Sequence, residues 1–335
     1  MTGLPASGRN GGEHRLRVLV ADDNASILAK ASTRLARDFE VVAAVSDGRQ
    51  ALHAARQLDP DVAVLDVTMP ELDGFQTARE LKQAGSRARI VMMTMHDADE
   101  FVAAAIDSGA HGYVLKTRMQ SDLSSAIDHA IAGRLFVPSL TSLLGIGPAP
   151  GSPRHAMLLA TEPRLFLDDV SRLLAAAMRR GDMAAIIATE ATRDGVTERL
   201  LARGCDLVKA TNRGTYVSFD AAVAASDVVV SGRLDTTRVA AFIGELERSR
   251  LAVSAPNLTV VGVGAIAPLL FAEGNHEAAI QLERTWDDLT RGLPFLTVCC
   301  YSSATFKAGS AELFPHIFDP HSAACHAHAA FGRVV

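Results

Sequence analysis

Val62-Ala63-Val64-Leu65-Asp66-Val67-Thr68-Met69-Pro70-Glu71-Leu72-Asp73-Gly74 decides the fold of the first half of the chain. Val62 to Val67 is an apolar run interrupted by one carboxylate, Asp66. A run of this kind reads as a strand buried on both faces of a parallel sheet. A carboxylate is costly deep inside a protein, so Asp66 belongs at the strand's C-terminal rim, where doubly wound sheets place their chemistry. Pro70 stops the strand, and Asp73-Gly74 makes a turn that can cap the next helix. Taken alone, Asp66 could be no more than a cap. Three other runs argue otherwise. Leu16–Ala21 ends in Asp22-Asp23, Ile90–Met93 ends in Thr94, and Tyr113–Leu115 ends in Lys116. The C-terminal ends of parallel strands share one edge, so three carboxylates, a hydroxyl and an ammonium converge there. Carboxylates suit a hard divalent cation. The hydroxyl and ammonium suit phosphoryl oxygens.

These residues, in this order and spacing, resemble the receiver domain of two-component response regulators over about residues 15–137. Met69-Pro70-Glu71-Leu72-Asp73-Gly74 and Gly112-Tyr113-Val114-Leu115-Lys116 belong to the same pattern. With Phe136-Val137-Pro138-Ser139, they look most like the subgroup that usually carries a helix-turn-helix output. The resemblance implies that Asp66 is the phosphoacceptor. It implies that Asp66 and Asp23 ligate Mg²⁺ directly and Asp22 through water, with the Thr68 backbone carbonyl completing the set. Thr94 and Lys116 are then expected to contact the phosphoryl oxygens. The family couples a movement of the Thr94 hydroxyl to an inward turn of the Tyr113 ring; the plain alternative for Tyr113 is a half-exposed side chain at a sheet edge.

With 335 residues there is room for two domains, and 48% hydrophobic content supports full cores. The net charge is −5 with no basic block, which argues against a general nucleic-acid surface. Cys205, Cys299, Cys300 and Cys325 include no Cys-x-x-Cys pair. Neighbours on a strand face opposite ways, so Cys299 and Cys300 are not expected to bond each other. The pattern reads as reduced, structural and cytoplasmic. Residues 1–14 read as a disordered leader without the apolar core of a signal peptide. The longest apolar stretch, Leu258–Ala272, is too short and too broken by glycine and Pro268 to span a bilayer.

Strands at 16–21, 41–45, 62–67, 90–94 and 113–116 alternate with helices. One helix carries Ile27, Ala31 and Leu35; the last carries Leu123, Ala126, Ile127, Ala130 and Ile131. This predicts a flavodoxin-like α/β domain over 15–132 with strand order 2-1-3-4-5. Residues 133–153 have the Pro, Gly and Ser content of a linker. Alternation resumes over 154–335, with strands at 155–160, 184–188, 216–219, 258–263 and 295–301. The intervening helices cover 163–180, 192–203, 235–250 and 276–291. The last of these has Ala279, Leu282, Trp286 and Leu289 on one side.

Glu190-Ala191-Thr192, Arg213-Gly214-Thr215-Tyr216, Asp235, Ala272-Glu273-Gly274-Asn275, Leu282 to Leu289 and Pro294-Phe295 resemble the MEDS (methanogen/methylotroph sensory) domain over about residues 154–325. That resemblance implies a second α/β domain, RecA-like in fold, in a signalling protein. No Gly-x-x-x-x-Gly-Lys-Ser/Thr loop is present to cradle a triphosphate, which argues against ATP hydrolysis. Gly262-x-Gly264-x-x-Ala267 matches a dinucleotide turn in form. Its confirming acid would be Glu283, which falls on a predicted helix, and Pro268 crowds the turn, so a tight strand-to-helix turn is preferred. Trp286, Glu273 and Asn275 could line a pocket, although a helical Trp among leucines reads first as core. His316, His321, Cys325, His326 and His328 make a His-rich tail that could hold a transition metal, but the MEDS resemblance implies no metal here and a helix-flanking tail with exposed histidines is preferred.

The expectation is a response regulator phosphorylated by a histidine kinase or phosphotransfer protein. Its second domain would bind a ligand or a protein, with no helix-turn-helix after the linker and no catalysis beyond its own phosphorylation and dephosphorylation. Pairing of two copies through the receiver is a further expectation. Rival readings are a phosphorylation-gated nucleotide enzyme and a DNA-binding regulator acting through the second half.

Overall fold

The structure is a computed structural model. It describes residues 15–145, 154–160, 163–253, 257–302, 313, 316–317 and 319–327. The leader at 1–14, most of the linker's second half and His328 lie outside these residues. The chain divides into two compact units, 1–138 and 139–335.

The first unit runs β1 (Arg17–Ala21), α1 (Ala25–Leu35), β2 (Glu40–Val45), α2 (Gly48–Leu58), β3 (Val62–Asp66), α3 (Gly74–Gln83), β4 (Arg89–Thr94), α4 (Asp99–Asp107), β5 (Gly112–Leu115), α5 (Met119–Ile131) and β6 (Leu135–Phe136). Its strands pair in parallel in the order β2-β1-β3-β4-β5-β6. The flavodoxin-like order expected for the first five strands is present, and β6 extends the sheet from within the segment read as linker. Every residue of β3 is buried. Val18, Val20, Val62, Val64, Val91, Met93 and Val114 form one face, packed with Ala31 and Leu35 of α1 and Leu123 and Ile127 of α5. The alternate residues Leu19, Ala63, Leu65 and Met92 are equally buried, so the sheet is covered on both sides, as apolar parallel strands require.

Local signals set the helix starts. Asn24, Asp47 and Asp73 each cap the following helix through a side-chain oxygen. Asp73 and Gln76 form a reciprocal capping box. Ile131 departs from the expected stripe: it is 37% exposed at the last turn of α5, where Ala130 takes the buried position.

The second unit runs α6 (Ser142–Gly145), β7 (His155–Ala160), α7 (Pro163–Arg180), β8 (Met183–Ala188), α8 (Glu190–Ala202), α9 (Leu207–Asn212), β9 (Tyr216–Asp220), α10 (Ala221–Val228), β10 (Val229–Val230), β11 (Arg233–Leu234), α11 (Thr236–Ala252), β12 (Val260–Gly264), α12 (Ile266–Ala272), α13 (His276–Thr290), β13 (Phe295–Ser302) and β14 (Ala323–Ala327). Six strands pair in parallel in the order β14-β7-β13-β12-β8-β9. Met157, Ile187, Val260, Leu270, Leu282 and Trp286 lie in one core. The expected stripe on α13 drifts at its end. Leu289 is 40% exposed, and Thr290 is buried instead, its hydroxyl donating to the Trp286 carbonyl at 2.8 Å. Positions 282, 286 and 290 follow the helix better than 289 does. Sequence reading missed the short elements α9, α10, β10, β11 and β14, whereas the strand-to-helix turn read at residues 262–267 is present between β12 and α12.

Gly74 sets the geometry behind β3. Its amide donates to the Val67 carbonyl at 3.0 Å, and a Cβ built there would overlap the Asp66 carbonyl oxygen. Neither backbone atom can yield without moving the strand end. Gly74→Ala should therefore lower stability by about 1–3 kcal/mol, the usual cost of an unrelieved overlap. Urea unfolding checks this, and an unchanged midpoint would mean the loop relaxes freely.

Candidate functional site: an acidic rim bridged by one lysine

The rim of the first sheet is built by chain direction. Ala21, Asp66, Thr94 and Leu115 end their strands. Register places Asp66 beside Met93, one residue before Thr94, and Thr94 beside Leu115, one residue before Lys116. Asp22 follows β1 directly, its amide still donating to the Val45 carbonyl at 3.1 Å. Residues more than ninety positions apart are thereby brought to one edge.

Carboxylate oxygens of Asp22, Asp23 and Asp66 lie within 4.8 Å of one another. Asp22 and Asp66 are buried, whereas Asp23 is exposed. Lys116 bridges the buried pair, with Nζ 2.8 Å from Asp22 Oδ2 and 2.7 Å from Asp66 Oδ2. Asp22 Oδ1 accepts the Asn24 amide at 2.9 Å, which fixes the first carboxylate. The Thr68 amide donates to the Asp66 carboxylate. Thr94 is buried, and its hydroxyl oxygen accepts the His96 amide at 3.2 Å. Tyr113 is fully buried rather than half exposed, and its hydroxyl donates to the His96 carbonyl at 2.8 Å. The His96 ring stacks on Phe101 at 4.2 Å. Tyr113 and Thr94 therefore hold the same short segment after β4, one through the His96 carbonyl and one through its amide.

Three carboxylates against one ammonium leave the cluster net negative. Burial raises the Asp66 carboxyl above its ordinary value; Lys116 pulls it down and the charge of Asp22 pushes it up again. For Lys116, burial opposes the charge, but its bonds to Asp22 and Asp66 prevail and hold it above its ordinary value. The donor set fits Mg²⁺: several hard carboxylate oxygens converge at spacings one ion can span, and their unneutralised charge favours it.

Comparison with known proteins agrees with this geometry. Residues 18–128 match the response regulator receiver domain family. Chemotaxis protein CheY of Bacillus subtilis is 33% identical over 116 residues, which is 34% of this chain and 97% of that one. The chain belongs to the response-regulator receiver family. Residues 154–313 match the methanogen/methylotroph, DcmR sensory (MEDS) domain family, so a receiver and a MEDS domain share one polypeptide. The nitrate/nitrite response regulator NarL of Escherichia coli K12 is 29% identical over 196 residues, 58% of this chain and 82% of that one. YvfU of Bacillus subtilis, described as a transcriptional regulatory protein, is 33% identical over 38% of this chain. The match spans 64% of YvfU, less than two thirds of its length. The solved signal receiver domain of a NarL response regulator from Mycobacterium tuberculosis is 30% identical, covering 36% of this chain and 100% of its own, with a TM-score of 0.35.

The other motifs read from sequence resolve into structure. Gly262 and Gly264 end β12, and Glu283, the acid a dinucleotide turn would need, is buried on α13 against Tyr301 rather than at a strand end. Asn275 caps α13 and donates to the Gly232 carbonyl at 3.1 Å; Glu273 ends α12 and is exposed; Trp286 is core. No helix among the described residues is long and apolar enough to cross a membrane. No disulfide joins Cys205, Cys299, Cys300 or Cys325.

The direction of the Asp66 shift has a consequence for stability. A carboxyl raised in the folded state binds its proton more tightly there than in the unfolded chain. Stability then falls as pH climbs from the ordinary value of 3.8 through the raised one. At pH 7 without divalent cations, the ionised Asp66 is a net burden. Asp66→Asn should raise the melting temperature under those conditions, with the gap closing as pH drops through 3.8. A lower melting temperature for the Asn variant, measured by calorimetry in chelator, would show that the Lys116 bond outweighs the burial.

Proposed function

We propose that this chain is the response regulator of a phosphorelay, taking a phosphoryl group onto Asp66 from a histidine kinase or phosphotransfer protein. The observation that carries the reading is the bridged pair: Lys116 within 2.8 Å of both buried carboxylates, with Asp23 beside them at the open rim. In this reading Asp22, Asp23, Asp66 and the Thr68 carbonyl hold Mg²⁺. The ion supplies neutralisation of the charge that builds on the transferring phosphoryl group.

The residues themselves divide the remaining work. An Asp66 oxygen attacks phosphorus as the phosphorus–nitrogen bond of the donor phosphohistidine breaks, and the electron pair leaves with the imidazole. Lys116, already against Asp66, meets one phosphoryl oxygen. The Thr94 hydroxyl, which accepts from the His96 amide and bonds the Tyr113 hydroxyl, donates to another. Drawing Thr94 toward phosphate disturbs the segment that Tyr113 also holds through the His96 carbonyl. Local charge thereby becomes a change in surface after β4.

The MEDS domain reads that change as a ligand- or protein-binding module, with no enzymatic step of its own. The protein works in the cytoplasm, and two receivers could pair in the phosphorylated state. Receiver relatives and the matched MEDS family support this reading of the two halves. The chain's net charge of −5 favours a protein or small-molecule target over nucleic acid.

Acetyl phosphate with Mg²⁺ should add one phosphoryl group per chain, visible by intact-mass spectrometry and lost with chelator. Asp66→Asn should abolish the addition, and Thr94→Ala should leave it in place while slowing any change in oligomer or ligand binding. Equal labelling of the Asn variant would remove Asp66 from its role.

A further inference from the structure

The second unit holds a cluster that the receiver chemistry does not use. His155 opens β7, Cys299 lies in β13, Glu283 lies on α13, and His321 precedes β14. All four are buried: His155 is 0% exposed, Glu283 1%, His321 1% and Cys299 7%. One potential ligand atom from each lies within 4.8 Å of the others. His321 is the tail residue found in this group among the described residues; His316 is exposed. The other three come from positions 22 to 166 residues earlier in the chain, so no local motif announces the cluster.

The spacing is that of ligands around a common centre. His155 Nε2 is 3.2 Å from Cys299 Sγ and 3.2 Å from Glu283 Oε2. Cys299 Sγ is 3.3 Å from Glu283 Oε2, and His321 Nε2 is 3.5 Å from the same oxygen. Metal–nitrogen and metal–oxygen bonds near 2.1 Å and a metal–sulfur bond near 2.3 Å, arranged tetrahedrally, separate ligand atoms by about 3.3–3.6 Å. A hydrogen-bond network accounts for the same contacts poorly. Three groups converge on one carboxylate oxygen, which has two lone pairs. His155 Nε2 also faces both the thiol and the carboxylate, and a single N–H can be aimed at only one.

The surroundings orient the donors as a metal's outer shell would. The His321 Nδ1–H donates to the Ile317 carbonyl at 2.9 Å, which leaves Nε2 as the ring's lone-pair nitrogen toward the cluster. The Tyr301 hydroxyl donates to Glu283 Oε1 at 2.5 Å, reserving Oε2 for the centre. His155 Nδ1 lies 3.8 Å from Asp287 Oδ1, beyond hydrogen-bond reach, with Nε2 inward. The adjoining cavity is walled in part by Glu283, Cys299, Trp286 and Thr297.

We propose that His155, Glu283, Cys299 and His321 form a four-ligand transition-metal site, with zinc the ion their mixed thiolate, imidazole and carboxylate donors fit. Four protein ligands make it a closed, structural site. Ligation exchanges the Cys299 thiol proton for the metal and releases that proton to solvent; no electrons move. The ion would tie β7, β13 and α13 to the segment entering β14, stapling the end of the sheet. A site of this kind is independent of phosphorylation at Asp66.

Titration of the chelator-stripped full-length chain with Co²⁺, in excess Mg²⁺ to occupy the receiver, tests this. One equivalent should bind, with intense thiolate-to-cobalt absorption and quenching of Trp286, the chain's single tryptophan. The receiver contains no cysteine, so that absorption cannot arise there. Cys299→Ser should abolish the absorption, Glu283→Gln should weaken Co²⁺ binding at least tenfold, and Cys205→Ser, outside the cluster, should change neither. X-ray absorption of the zinc-loaded wild type should show one sulfur and three lighter donors, a reading that does not depend on any variant folding. No thiolate band in the folded wild type, a band that survives Cys299→Ser, or zinc bound only by nitrogen and oxygen would overturn the assignment.

Discussion

The Lys116 ammonium shared by Asp22 and Asp66 is the interaction on which the first unit depends. Two carboxylates almost out of water repel each other, and one cation at 2.7 and 2.8 Å offsets that repulsion. The compensation is incomplete, because Asp23 adds a third charge at the exposed side. What results is a net-negative rim in which burial opposes the ionisation of Asp66.

That poise follows from topology more than from any one contact. Parallel strands deliver their last residues to the same edge, and β1, β3, β4 and β5 each place one polar group just where the apolar run stops. Gly74 lets the chain pass so close behind Asp66 that the strand end is held from both sides. Tyr113 and Thr94 meet on the backbone of His96, one through its carbonyl and one through its amide. The second unit uses the same parallel architecture differently. Its polar cluster is not on a rim but walled in by strands and α13, where only a group satisfied on every side is tolerated.

Much of this could be read from sequence, and the reasons are local. The receiver strands are uninterrupted apolar runs with a polar terminus, and Asn24, Asp47 and Asp73 announce their helices by cap chemistry. Asp22, Asp23, Asp66, Thr94 and Lys116 were legible because each sits at such a terminus. What escaped had no local signal. Ile131 and Leu289 obey helical spacing on paper but fall in the last turn, where the buried stripe has already drifted past them. The short helices α9 and α10 have too few turns to show a period. His155, Glu283 and Cys299 look like ordinary strand and helix residues, and only the order of the sheet brings them to His321.

The central claim is that the bridged rim directs phosphoryl chemistry to one oxygen-bearing side chain. Borohydride reduction converts an aspartyl phosphate to homoserine, and tandem mass spectrometry then reads which residue carried it. After treatment with acetyl phosphate and Mg²⁺, homoserine should appear at position 66 alone. Homoserine at position 22 or 23, or none anywhere in a folded, Mg²⁺-bound protein, would contradict the account.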